Sequence, residues 1–207
     1  MQLPISRPRI LRGPRLANPL ESPVVETARL TLRPHRLDDA DEWYRLQSIP
    51  EINHYMRWPE RTRLQSYVHL RDRTHHTRLS QANDFLALAV ELDGHLIGDV
   101  SLRLRTVTSD TRSVEIAWIL DPELSGHGYA TEAAAAALDL AFIDLEARWA
   151  VALVDTHNER SVSLAERLGL QGVPVDHEVT GFFCTPALRE ASRRVCPVAS
   201  TPLLRAS

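Results

Sequence analysis

The spacing of apolar and polar positions divides the chain into recognisable elements. Over residues 28–33, Leu30 and Leu32 alternate with Arg29, Thr31 and Arg33, the period-2 mark of a half-buried strand, and Pro34 ends it. Residues 37–48 predict a helix with Leu37, Ala40, Tyr44, Trp43 and Leu46 as inner-face candidates. Asp38, Asp39 and Asp41 fall in its first turn, where acids suit the helix dipole. Residues 49–60 read as a loop rich in aromatic and polar groups. A second helix is expected over about 61–79, with Leu64, Tyr67, Val68 and Leu70 as core candidates. From Asp84 the period shortens. Residues 85–90 are a nearly continuous apolar run, Asp93-Gly94 is the favoured pair for a two-residue type I′ turn, and residues 96–104 return. With the strand at 114–120 they predict a three-stranded antiparallel meander. A helix over 129–146 follows, then a strand over 148–155 in which Trp149, Val151 and Leu153 alternate. A helix over 158–168, opened by a Thr156/Glu159 capping box and stopped by Gly169, completes the pattern. The order predicts an α+β fold with one strand–helix–strand crossover in its second half.

Composition narrows the chemistry. The net charge of −3 gives no bulk attraction for nucleic acid, and no apolar run approaches the ~20 residues of a membrane span. The basic side chains are all arginine, which excludes a catalytic lysine, a lysine Schiff base or a Walker lysine. Cys184 and Cys196 have no zinc spacing and read as free thiols, no histidine has a metal-ligand partner, and the N-terminus lacks the apolar core of a secretory signal. A cytoplasmic protein without a metal is therefore expected, as a monomer or homodimer. Residues 1–23, rich in Pro and Arg, are expected to be a loosely ordered extension, the domain to span 24–185, and 186–207 to be an irregular tail.

The chain centres on residues 112–137. Strand 114–120 is stopped by Asp121-Pro122, and the turn Ser125-Gly126-His127-Gly128 opens directly into a helix carrying five consecutive alanines. A glycine turn at a helix N-terminus exposes unpaired backbone N–H groups at the positive end of a dipole, which makes an anion cradle suited to phosphate. Neither the P-loop nor the dinucleotide fingerprint is present.

Three segments in order carry a resemblance. Gly-His-Gly-Tyr-Ala-Thr-Glu-Ala (126–133) resembles the acetyl-CoA signature of the Gcn5-related N-acetyltransferases (GNAT), with Gly128 and Ala130 matching and Ser125 where Gln or Arg is commonest. Residues 26–34 resemble the opening of the branch containing the ribosomal-protein acetyltransferases RimJ and RimL. Residues 155–161 and 165–170 resemble that family's later Asn-x-x-Ser and Lys-Leu-Gly-Phe motifs. The resemblance covers about 24–172. It implies a mixed, mostly antiparallel twisted sheet with helices on both faces, and a fourth strand (114–120) splayed from the fifth (148–155). It also implies acetyl-CoA as co-substrate and direct transfer to a primary amine, either a small molecule or a protein N-terminus.

Site residues follow from that resemblance. Ser125, Gly126, His127, Gly128, Tyr129, Ala130 and Thr131 would hold the pyrophosphate. Trp118, Ile119 and Leu120 would border the pantetheine arm, and Asn158 would contact it. Glu115, in an otherwise apolar strand, is a candidate base, directly or through water, whose alternatives are binding the cationic amine or a structural role. Ser161 is a candidate acid for the leaving thiolate. Asn53, Tyr55 and Trp58 would border the acceptor, while Glu132 reads as a dipole-compensating acid. The family's last strand is not recognisable beyond Gly172, although 179–184 has strand character. That gap leaves a non-catalytic acyl-CoA-binding module as the rival reading.

Overall fold

A computed structural model describes residues 13–195 and 204–205 of the chain. In order, the elements are β1 (Arg15–Glu21), β2 (Val25–Glu26), β3 (Thr31–Pro34), α1 (Ala40–Gln47), α2 (Pro50–Met56), α3 (Arg63–Arg73), β4 (Arg78–Gln81), β5 (Phe85–Leu92), β6 (His95–Thr106) and β7 (Ser113–Leu120). They continue with α4 (Tyr129–Asp139), β8 (Trp149–Asp155), α5 (Glu159–Arg167), β9 (Gln171–Pro174), β10 (Val179–Cys184), α6 (Pro186–Val195) and β11 (Leu204–Arg205). The main sheet has the order β11-β2-β3-β5-β6-β7-β8-β10-β9. Among the described strands only β7 and β8 pair in parallel, joined by the α4 crossover. The fold is the α+β class expected.

The apolar run of β5 is explained by cover on both faces. Leu86, Leu88 and Val90 face a core built with the alanines of α4 and with Leu164 and Leu168 of the α5 segment. Ala89, Leu96 and Ile119 face the opposite layer, where Trp43 of α1, Ile52 of α2 and Leu70 of α3 are buried. The five alanines at 133–137 are all buried. Side chains this small let the helix lie close on the sheet, which is why α4 is apolar all round.

Several expectations need correction. Leu37 is exposed because residues 37–39 form a 3₁₀ turn, so the helical phase begins only at Ala40, which packs against the core, and buries Trp43, Leu46 and Gln47, while Tyr44 is only partly covered. The loop expected at 49–60 contains α2, with Pro50 at its first position, where a missing N–H costs nothing. The second helix ends at Arg73. Leu64, Tyr67 and Val68 are exposed, and its inner face is Ser66, Leu70 and Arg73, polar because it packs over buried ion pairs. Helix α4 passes at Leu140 into a π-helical turn ending at Asp144. In β8 the large residues Trp149 and Leu153 face outward, while Ala150, Ala152 and Val154 are buried. Alternation separates two faces without saying which is inner, and here the side toward α4 and α5 takes the small residues.

The chain ends differ most. Residues 15–21, expected to be loosely ordered, form β1, which pairs antiparallel with β4 and buries Leu16. The first twelve residues of that expected extension lie outside the described residues, as does Cys196. The missing last strand is β10, which inserts antiparallel between β8 and β9 in unbroken register from Val179–Asp155 to Cys184–Ala150. The tail expected to be irregular starts with α6. Its buried Arg189, together with Arg193, faces Asp139 at the end of α4. Cys184 is a buried free thiol whose ionisation burial pushes up to about 11.

Candidate active site

The glycine turn is built as an open helix start. Asp121 ends β7 by accepting the Glu123 N–H at 3.0 Å and the Arg45 guanidinium. Gly126 and Gly128 adopt φ of +85° and +81°, the left-handed region that favours glycine. Gly128 is the N-cap of α4 and supplies no side-chain cap. The first-turn N–H groups of Tyr129, Ala130 and Thr131 therefore lack helical acceptors and point to the helix's positive end. A clamp fixes this turn from beneath. Glu132 accepts from Thr27 Oγ1 at 2.7 Å, Arg29 N at 2.8 Å and Arg29 Nε at 2.8 Å. Arg29 also donates to the His127 carbonyl at 2.9 Å, and its guanidinium lies 4.5 Å from the Tyr129 ring centre. Burial alone would raise the Glu132 carboxyl, but the bonds from Thr27 and Arg29 hold it below the ordinary carboxylate range. Glu132 is a permanently charged anchor, and the half-exposed Arg29 places a cation beside the cradle.

The two central strands fork beside it. The β7–β8 ladder runs only from Ser113–Trp149 to Glu115–Val151, after which the strands separate. A cleft of about 920 Å³ fills the fork. It is lined by Trp118, Ile119, Leu120, Ser125, Gly126, Gly128, Tyr129, Ala130, Thr131, Asn158 and Ser161, which the structure therefore brings together. His127 is not in the lining; its ring stacks on Tyr129 at 5.7 Å. The α5 N-cap is Asn158 rather than Thr156: its Oδ1 accepts the Ser161 N–H at 3.1 Å. The Ser161 hydroxyl accepts the Trp118 indole N–H at 3.3 Å, linking α5 to β7. Polar contacts from the α2 region cross the mouth of the cleft. Tyr55 donates to the His157 carbonyl at 3.4 Å, Arg160 meets Glu51 at 3.0 Å, and Arg57 meets Glu178 at 2.7 Å.

A second cavity, of about 600 Å³, lies on the α1–α3 side of the same strand. The two share Met56, Ala117, Trp118 and Ile119. Glu115 and Trp58 line it. Glu115 is paired with Arg105 at 3.3 Å and its side chain is a quarter exposed, so it is a held, solvent-reachable carboxylate rather than a sequestered one. Asn53 lines neither cavity: its amide donates to the Gln47 carbonyl at 2.7 Å and stays within the α1–α2 corner.

The cavity also gathers residues that the sequence reading passed over. Asp99, Ser101 and Arg103 form a polar ladder along β6. Asp99 is bonded to His35 at 2.7 Å and to Arg73; burial alone would push it up, but Arg73 and His35 hold it below the usual carboxylate range. His69 accepts at Nδ1 from Gln47 at 2.9 Å and from Trp43 at 3.3 Å. Burial, with help from Arg73 and Arg61, lowers its pKa to about 4. His75 and His76 lie beyond the end of α3 and border the cavity. The signal for the ladder was present: Asp-Val-Ser-Leu-Arg-Leu over 99–104 alternates polar and apolar in a strand whose neighbours are apolar on both faces. Among the described residues no cluster of His, Cys, Asp or Glu could hold a metal ion, and no helix is long and apolar enough to cross a membrane.

The chain as a whole is similar to known proteins. The acetyltransferase (GNAT) domain family matches residues 29–171. An uncharacterized N-acetyltransferase, p20 of Bacillus licheniformis, is 30% identical over 155 residues, covering 73% of this chain and 85% of that protein. The chain belongs to the GNAT acetyltransferase family. Its fold is similar to that of the spermidine N-acetyltransferase of Vibrio cholerae, solved with CoA and spermine (TM-score 0.64, 22% identity, 79% of this chain and 99% of that one). It is also similar to RimL, the ribosomal L7/L12 α-N-protein acetyltransferase, solved with coenzyme A (TM-score 0.61, 12% identity, 78% and 97%). RimL is thus among the proteins whose fold this chain shares.

Proposed function

We propose that this chain is an acetyl-CoA-dependent N-acetyltransferase that moves the acetyl group to a primary amine by direct attack. The observation that carries the reading is the meeting of two cavities at one strand, a cofactor-sized fork on one side of β7 and a cavity lined by Glu115 on the other. The pyrophosphate of coenzyme A suits the N–H groups at the start of α4, with Arg29 adding charge. The pantetheine arm suits the β7 edge at 118–120, whose backbone groups lose their β8 partners at the fork. Asn158 uses its Oδ1 to cap α5, which leaves its amide nitrogen for the arm.

In this reading the acceptor enters past Trp58 and Tyr55 as a neutral amine. A C–N bond forms at the thioester carbonyl, the C–S bond breaks, and the amine's proton passes to Glu115 directly or through water. The Ser161 hydroxyl, which accepts the Trp118 indole N–H and keeps its own proton to donate, gives that proton to the thiolate and regains one from water. The acceptor is a small amine or a protein N-terminus, and cytoplasmic residence is part of the reading, since acetyl-CoA is supplied there. The non-catalytic alternative drew its support from a missing last strand; with β10 beside β8 that support is gone.

The test is thiol release from acetyl-CoA against a panel of primary amines, with Glu115→Gln beside wild type and acetyl-CoA-dependent melting measured in parallel. Turnover lost in the variant while acetyl-CoA still raises its melting temperature supports the assignment. Binding of acetyl-CoA by wild type without turnover of any amine overturns it.

A further inference from the structure

The charged residues lining the Glu115 cavity are not all paired with one another. Asp99 is neutralised by Arg73. Asp84 accepts the backbone N–H groups of Ser80 and Gln81 at 2.9 and 2.8 Å, and Asp72 meets His76 at 3.2 Å. Arg78 of β4 faces Glu21 of β1 at 3.1 Å. Glu115 is taken by Arg105, which lies two residues beyond Arg103 on β6. Arg103 is different. Among the described residues it has no ion pair, and its neighbour is the face of Phe85, 5.1 Å from its guanidinium. The histidine deepest in this wall, His69, is neutral at physiological pH and cannot substitute for it.

An arginine with an aromatic ring against one face keeps its in-plane N–H groups free, a geometry matched to a carboxylate or phosphate. The sheet register sets the neighbours of Arg103, which is opposite Glu115 on β7 and opposite Phe85 on β5. Arg103 and Glu115 line the same cavity, so an anion on Arg103 and an amine at Glu115 would share it. Ser101, on the same face of β6, adds a hydroxyl beside them.

Resting on the proposed acetyl transfer, we infer that the acceptor is a small amine that also carries a carboxylate or phosphate, with Arg103 as the residue that reads that group.

Equilibrium binding to the coenzyme A complex tests this with matched probes: phenylalanine against phenethylamine, and glucosamine 6-phosphate against glucosamine. The anionic member of at least one pair binds tenfold or more tightly to wild type. That gap disappears in Arg103→Gln and is partly kept in Arg103→Lys, with melting temperatures confirming that both variants fold. The carboxylate pair and the phosphate pair distinguish the two anion types. Equal binding within both pairs, or a gap that survives Arg103→Gln, overturns the inference. Thiol release in the same mixtures reports separately on acetyl transfer. A binding gap without turnover sinks the catalytic reading alone, and turnover of uncharged amines without a gap sinks this one alone.

Discussion

His69 provides a stability prediction whose size follows from its surroundings. Its Nδ1 accepts from the Gln47 amide and the Trp43 indole, and its ring stacks on Trp43 at 5.7 Å, so the folded state requires the neutral ring. Burial, then Arg73 and Arg61, lower the pKa from 6.5 to about 4. The unfolded chain therefore binds more protons than the folded one between these values. Stability is complete above about pH 6.5 and is lost as the pH falls toward 4. Between pH 7 and pH 5 the linkage is at most about 1.8 kcal/mol, and about 1–1.8 kcal/mol once the partial exposure of the ring is allowed for. Asp39 and Asp99, held below the usual carboxylate range, contribute only at lower pH, so this window is separate from theirs. Melting at pH 7 and pH 5 is compared in wild type and His69→Gln, which keeps an acceptor oxygen but does not titrate. The wild type is expected to lose about 2–8 °C more than the variant. Identical pH dependence, or an NMR titration of His69 near 6.5, would refute the reasoning.

Other substitutions test other parts of the structure. Glu115→Gln should lower kcat/KM by about 10²–10⁴ while acetyl-CoA still raises the melting temperature. Gly98→Ala would put a Cβ 2.4 Å from the Ile119 carbonyl and 2.9 Å from Leu120 Cδ1. It should cost about 2–3 kcal/mol in urea unfolding and weaken acetyl-CoA binding, because the displaced strand is the one at the fork. Leu70→Ala should cost about 3–4 kcal/mol, whereas Leu64→Ala, at 71% exposure, should stay within about 0.5 kcal/mol of wild type.

The meander, the crossover and the glycine turn were legible because each rests on local rules: alternation, an Asp-Gly turn, glycine before a helix. What was not legible depended on partners far away in sequence. Leu64 and Leu70 are identical to a local rule; only the packing of α3 through its Ser66–Leu70–Arg73 face says which is inside. The strand at 15–21 is held by pairing with 78–81, which no local pattern could announce. Glu132 was read as a dipole effect, yet its three donors come from Thr27 and Arg29, more than a hundred residues earlier. At the site, the cradle could be read along one segment, whereas the cavity lined by Glu115 is assembled from α2, α3, β4, β5, β6 and β7.

The fork between β7 and β8 also creates a sheet edge in the middle of the molecule. Exposed strand edges invite pairing with other chains, and proteins usually blunt them with charge, proline or a bulge at the rim of the sheet. Residues 117–120 carry none of these devices, for they read Ala-Trp-Ile-Leu. Their protection is positional. The edge is recessed between α4 and α5, and the contacts of Tyr55, Glu51 and Arg57 bar the way to a foreign strand. A narrow chain-like molecule can enter where a second polypeptide cannot. The feature that opens the strand to a ligand is thus also the one that has to keep it from aggregating, and loosening the α2 contacts would be felt as insolubility as well as altered access.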